Sequence, residues 1–255
     1  MPSIEILCLA NSKKHGGRCV AGLRTDGQGW LRPITDAEDG VLFRQDYTLD
    51  DGSEARVLDL LRVDLREHQP KPHQPENWRI SGSRWHLVER PASASVASLL
   101  RSHLAPGPAI LGSGSDRVAY DELLRSPARA SLALVLPRDL VWHAPGNPRR
   151  SRPQVRARFR LGGVVYDLAV TDPVFLEMLG DLPQGSSIPA ASHLKPDESL
   201  LLTISLGEPF EGFCYKLVAA VVVVPAAWGI GATGAATHHR AGRRAVADVV
   251  PDASA

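Results

Sequence analysis

Apolar and polar positions divide the chain into short extended runs, a helical middle and an aperiodic end. Residues 4–10, Ile-Glu-Ile-Leu-Cys-Leu-Ala, form an almost continuous apolar run of strand length. Residues 18–24 and 29–34 flank Thr25-Asp26-Gly27-Gln28, where Asp26-Gly27 supplies the positive-φ turn of a hairpin. Leu61, Val63 and Leu65 alternate with Arg62, Asp64 and Arg66, so this strand has one apolar face and one wet face. A proline-rich connection covers 69–75, and 84–90 reads as a short extended segment.

Helical spacing begins at Val96, Leu99, Leu100 and Leu104, capped by Ser93 or Ser95. Residues 107–115 read as a loop. Residues 116–125 predict a second helix, stopped at Ser126-Pro127 because the residue before a proline avoids helical backbone. Residues 132–136 and 140–143 are extended, and 154–161 and 164–171 are the arms of a hairpin around Gly162-Gly163. Asp172-Pro173 then combines a cap with proline at the first helical position. Phe175, Leu176 and Leu179 give that helix its apolar face, and Gly180 ends it. Residues 200–206 and 216–224 predict the last strands.

Strand, strand, strand, short helix, strand, strand is the element order of the five-stranded OB barrel, although an SH3-like barrel or an open sandwich has a compatible order. The expected architecture is mainly β with a few helices: two OB-like barrels joined by a helical connector. The bounds are 1–90 for the first lobe, 91–128 for the connector and 129–224 for the second lobe. The tail, 225–255, is aperiodic despite Arg240, Arg243 and Arg244, and is expected to be disordered.

Composition narrows the function classes. Apolar residues make up 44% of 255, enough for a core. Three cysteines give no disulfide framework, and the first residues lack the basic start and apolar run of a signal peptide. Both readings favour a reducing, cytoplasmic compartment. Residues 217–237 are uncharged and long enough to span a bilayer, but Pro225, Gly229, Gly231 and Gly234 interrupt them. A buried strand followed by a small-residue tail is expected instead, with no membrane partner. The net charge of +1 leaves local clustering of Arg and Lys as the only source of affinity for nucleic acid.

Such clustering occurs twice. Arg149, Arg150, Arg152, Arg156, Arg158 and Arg160 fall within twelve residues, with no acid between Asp139 and Asp167. Strand alternation puts Arg156, Arg158 and Arg160 on one face. The glycine turn sets Arg158 opposite Asp167 and Arg160 opposite Val165. Asp167 is therefore expected to neutralise Arg158, leaving Arg156, Arg160 and the loop arginines for phosphate, which suits the guanidinium fork. A solvated outer face is the alternative. The second cluster, Lys13, Lys14 and Arg18 around Gly16-Gly17, is either a turn whose N–H groups cradle an anion or a charged guard on a sheet edge. Trp30 beside Arg32 offers a ring on which a base stacks. Glu76 and Asn77 either read a base edge or hold the proline loop, while Trp78 and Trp85 suit core anchors.

No catalytic or metal-binding pattern emerges. Cys8, His15 and Cys19 lack paired ligand spacing, and Asp59, Asp64, Glu67 and His68 lack a second carboxylate cluster. Gly112-Ser113-Gly114-Ser115 is not a nucleophile elbow. No enzyme activity, metal or cofactor is expected.

Several blocks together resemble the bacterial dual OB-fold domain proteins. They are Cys8-Leu9-Ala10-Asn11-Ser12 with Gly17-Arg18-Cys19-Val20-Ala21-Gly22, Gly29-Trp30-Leu31-Arg32-Pro33, His73-Gln74-Pro75-Glu76-Asn77-Trp78 and Tyr215-Lys216-Leu217-Val218-Ala219. The resemblance covers most of 4–222. It implies two OB lobes and a nucleic-acid-binding role, and it brings no reaction or catalytic residue with it. The expected function is non-catalytic binding of single-stranded or unpaired DNA or RNA. The candidate contacts are Lys13, Lys14, Arg18, Trp30, Arg32, Glu76, Asn77, Arg149, Arg150, Arg152, Arg156 and Arg160. The alternatives are a nucleotide or small-ligand pocket between the lobes around Trp30, Glu76 and Asn77, or a protein-interaction adaptor.

Overall fold

The structure, a computed structural model, describes residues 2–146 and 153–226. The first lobe contains β1 (Ser3–Lys14), β2 (Gly17–Arg24), β3 (Trp30–Ile34), a single-turn helix α1 (Arg44–Tyr47), β4 (Leu60–His68), β5 (Asn77–Ile80) and β6 (His86–Glu89). Strand β1 pairs with β2 on one side and, through its first half, with β4 on the other. Strands β3 and β5 run parallel. The circuit β1-β2-β3-β5-β4-β1 is therefore closed, and β6 extends it beside β4. A register shift between Cys8 and Ala10 bends β1 so that it serves both neighbours. Gly22 crosses this bend, where a Cβ would lie 2.3 Å from the Leu7 carbonyl oxygen. Ile6, Val20, Leu31, Leu61, Val63, Leu65 and Trp85 fill the barrel.

The connector holds α2 (Ala97–Ser102), β7 (Arg117–Ala119) and α3 (Tyr120–Arg125). The second lobe follows with β8 (Leu132–Val135), β9 (Arg138–His143), β10 (Arg156–Leu161), β11 (Val164–Val170), α4 (Pro173–Leu179), β12 (Ser187–Pro189), β13 (Glu198–Phe210) and β14 (Phe213–Pro225). Its sheet order is β12-β9-β10-β11-β14-β13-β8, with β11 parallel to β14. Only Leu136-Pro137 separates β8 from β9, so the path returns to where it began and repeats the circuit of the first lobe. Asp172 caps α4 as expected: Oδ1 accepts from the Val174 and Phe175 N–H groups at 3.0 Å each, and Oδ2 from Val221 N–H at 3.0 Å.

Three local expectations change. The basic loop expected over 11–18 shrinks to His15-Gly16, both at positive φ, because β1 runs on to Lys14 and β2 starts at Gly17. The helix expected from Asp116 starts only at Tyr120. Residues Arg117–Ala119 pair instead with β14, which runs past the barrel and needs a partner for its backbone groups. The last strand continues to Pro225, whose partner is Glu198. The rest of the expected tail, from 227, lies outside the described residues. Among the described residues no helix is long and apolar enough to cross a membrane, and 217–224 lie within β14.

The two lobes share a core. Leu7, Leu9 and Leu23 of the first pack with Leu134, Leu201 and Val222 of the second and with Leu100 of α2. Beside them Ala10, Ala21, Leu132 and Ala219 pack together, and the small side chains of the three alanines let the sheets approach closely.

Candidate nucleic-acid interface

Strands β10, β11 and β14 present one continuous face. Arg156 is opposite Ala169, and Ala169 is opposite Leu217. With Asp167, Tyr215 and Ala219, these residues line one wall of a cleft of about 610 Å³. The end of β1 brings Ser12, Lys13, Lys14 and His15 to the facing wall, and Pro209 and Phe210 of the β13–β14 hairpin stand at another side. The Lys13 N–H donates to the Thr171 carbonyl at 2.8 Å and fixes the two walls together. The basic turn of one lobe and the arginine strand of the other thus meet on one surface.

Five cations line this cleft, Lys13, Lys14, Arg32, Arg156 and Lys216, against three carboxylates, Asp116, Asp167 and Glu208. Lys14 Nζ pairs with Glu208 Oε1 at 2.8 Å and donates to the Asp39 carbonyl. Arg156 Nε pairs with Asp167 Oδ1 at 2.7 Å. Among the described residues Lys13, Arg32 and Lys216 form no ion pair. Burial would raise the Glu208 carboxyl, but the hydrogen bond with His73 and the charge of Lys14 outweigh it and hold the group at about 2. Lys216 is 2% exposed. Its ammonium donates to the Ser113 carbonyl at 2.8 Å, Ser113 Oγ at 2.9 Å and the Ser115 carbonyl at 2.7 Å. Burial pushes it down to about 8 against the opposing charge of Asp116.

The structure separates the expected contacts into three groups. Lys13, Lys14, Arg32 and Arg156 line the cleft. Arg160 does not: it faces Asp139 at 3.6 Å in an exposed ion pair. Arg18 lies with its guanidinium carbon 5.9 Å from the centre of the Tyr47 ring. Arg149, Arg150 and Arg152 lie outside the described residues. Trp30, Glu76 and Asn77 belong to the lobe junction. Trp30 packs against both inter-lobe clusters. Glu76 accepts from Ser131 N–H and Oγ–H at 2.6 Å each, and Asn77 is buried with its amide 3.4 Å from Gln74 Oε1. Arg32 joins the same network, donating to Ser131 Oγ at 2.8 Å, Ser205 Oγ at 3.2 Å and Cys19 Sγ at 3.4 Å. The pocket expected around Trp30, Glu76 and Asn77 is therefore a packed junction. The cleft lies beside it and shares Arg32, its partners Cys19 and Ser205, and Gln74.

The arginine strand holds the expected register, with Arg158 opposite Asp167, yet the ion pair forms diagonally. Asp167 takes Arg156 and, at 3.1 Å, His143 Nε2, while Arg158 has no ion-pair partner among the described residues. Arg158 borders a separate hollow with Val141, His143 and Ser187. Diagonal neighbours lie within reach of a side chain as long as arginine, so register alone does not choose the partner.

Sequence reasoning missed Lys216, Glu208 and the hairpin aromatics. The sequence signal for Lys216 was a single charge inside the apolar alternation of Phe213–Pro225. Among the described residues no group of three His, Cys, Asp or Glu side chains is placed to hold a metal ion. Burial pushes the Cys8 and Cys214 thiols up to about 12 and about 11, where neither supplies thiolate at neutral pH.

No curated protein matches this chain. Among solved structures, that of a murine DNA-binding protein bound with double-stranded DNA aligns over 88% of this chain and 99% of its own. Its TM-score is 0.31 and its identity 8%, so the fold assignment rests on the strand circuits instead. Residues 4–221, which hold both circuits and the connector, match the dual OB-containing domain, and the chain belongs to that family.

Proposed function

We propose that the protein binds single-stranded or otherwise unpaired nucleic acid along the inter-lobe cleft, as a non-catalytic module. The observation that carries this reading is the excess of cations over carboxylates in a cleft lined by β10, β11 and β14, of which β10 and β11 take the places of β2 and β3, the second and third strands of the first lobe's circuit. That face and the loops beside it are where OB folds take oligonucleotides. Lys13 is exposed and unpaired among the described residues, and so is the cation best placed to meet a phosphate.

The test is a fluorescence titration of a labelled 20-nucleotide strand at several salt concentrations. Affinity is expected to fall steeply as salt rises. Lys13→Ala and Arg156→Ala should each weaken binding and flatten the log–log salt slope by about 0.7, the value for one phosphate contact on a single strand. Arg160→Ala should leave both unchanged, because Arg160 lies outside the cleft. Absence of salt-dependent binding in the wild type would overturn the proposal. One observation favours a second reading: the cleft volume falls within the range of small-ligand pockets, about 300–1,000 Å³. A mononucleotide that saturates the protein as tightly as the 20-mer would select that reading.

A further inference from the structure

We propose that the tip of the β13–β14 hairpin is a stacking platform for an unpaired base, with Phe210 as the open ring. This deepens the reading of the cleft as a nucleic-acid site and rests on it. Phe210 and Phe213 are cross-strand partners around the two-residue turn Glu211-Gly212, whose φ angles are 50° and 80°. Both angles are positive, as in the tight hairpin turns that match strand twist. Directly opposed residues and alternate residues share a face, so Phe210, Phe213 and Tyr215 lie on the same side of the hairpin.

Two of these rings already have partners. The Phe213 and Tyr215 centroids are 6.4 Å apart, and the Arg117 guanidinium carbon lies 4.6 Å from the first and 5.7 Å from the second. Strand β7 holds Arg117 there: Arg117 pairs with Tyr215 and Val118 with Cys214, while the Tyr120 N–H donates to the Gly212 carbonyl at 2.9 Å. The hairpin is therefore braced and does not need Phe210 for its own packing. Phe210 remains 63% exposed and borders the cationic cleft. Glu211 holds a left-handed backbone that L-residues seldom adopt, which concentrates local strain at this tip.

The chemistry of the surroundings selects the occupant. A nucleobase offers a flat π face to Phe210, and Lys13 and Arg156 line the same cleft as cations for the phosphates of the strand that carries it. Bases within a duplex are already stacked on both faces, so the platform favours an unpaired base.

The experiment compares full-length wild type, Phe210→Ala and Phe210→Trp. The probes are a labelled 20-nucleotide strand, the same strand lacking bases, and the matching duplex. Stacking contributes about 1–3 kcal/mol per base, so Phe210→Ala should weaken binding of the strand by on the order of tenfold or more. The salt slope should not change, because no charge is lost. Wild type should bind the baseless strand as weakly as Phe210→Ala binds the intact one, and duplex binding should be insensitive to the substitution. Indole fluorescence in Phe210→Trp should be quenched by the intact strand and not by the baseless one. An unchanged melting temperature confirms that each variant is folded. If Phe210→Ala binds the strand like wild type while salt-dependent binding persists, the platform is overturned and the cleft reading survives. If wild type binds no strand, both fall.

Discussion

At the scale of single residues, the same side-chain type has opposite fates according to its neighbours. Arg32 is 1% exposed and holds hydroxyls from two distant segments of the second lobe, whereas Arg158, on an open strand face, holds no carboxylate among the described residues. Removing Arg32 deletes the charged donor shared by the Ser131 and Ser205 hydroxyls at a buried junction. Hydrogen bonds to charged groups are worth about 1.5–3 kcal/mol, so Arg32→Ala should lower unfolding free energy by about 2–3 kcal/mol in a urea titration. A loss within 0.5 kcal/mol, as for an ordinary surface position, would show that Arg32 does not hold the junction.

At the scale of elements, Glu208 ties β13 to β1 and to the loop before β5. Its carboxylate meets Lys14 at 2.8 Å, Lys71 at 3.6 Å and the buried His73 at 2.9 Å. Its folded pKa of about 2 lies below the ordinary 4.5, so the folded state binds the proton less readily than the unfolded chain. The stabilisation from this group is complete above pH 4.5 and is lost as pH falls towards 2. It amounts to on the order of 3 kcal/mol. Glu208→Gln removes that titration, and its stability should fall less steeply than wild type across the same acid window. Parallel acid limbs for the two proteins would exclude Glu208 as the linked group. The hairpin at Gly162-Gly163 and the cap at Asp172 were legible in advance because each depends on residues two or three positions away. The start of α3 was not. The edge of β14, far along the chain, claims Arg117–Ala119 as a strand.

At the scale of the whole molecule, the inter-lobe core decides how the chain melts. Leu7, Leu9 and Leu23 are buried largely against the second lobe and the connector. Separating the lobes would expose them together with Ala10 and Ala21, so neither lobe is expected to outlast the other. Differential scanning calorimetry should show one cooperative transition with equal calorimetric and van't Hoff enthalpies. Two resolved transitions would mean that the lobes fold independently.

Local residue patterns suffice for the strand alternation, the turn glycines, the cap of α4, the register that sets Arg158 opposite Asp167 and the element order of an OB barrel. Each follows from backbone geometry and side-chain period over a few residues. How the chemically suggestive residues are used depends instead on contacts between distant segments. Arg32 meets partners 99 and 173 positions away, and Glu76 meets Ser131 across 55, so these side chains and Trp30 are drawn into a junction rather than left for a ligand. The same docking brings Lys13 and Arg156 into one cleft and leaves Arg160 outside it. The physical reason is that periodicity reports which face of a strand is apolar. What that face meets is set by the packing of segments far apart in the chain.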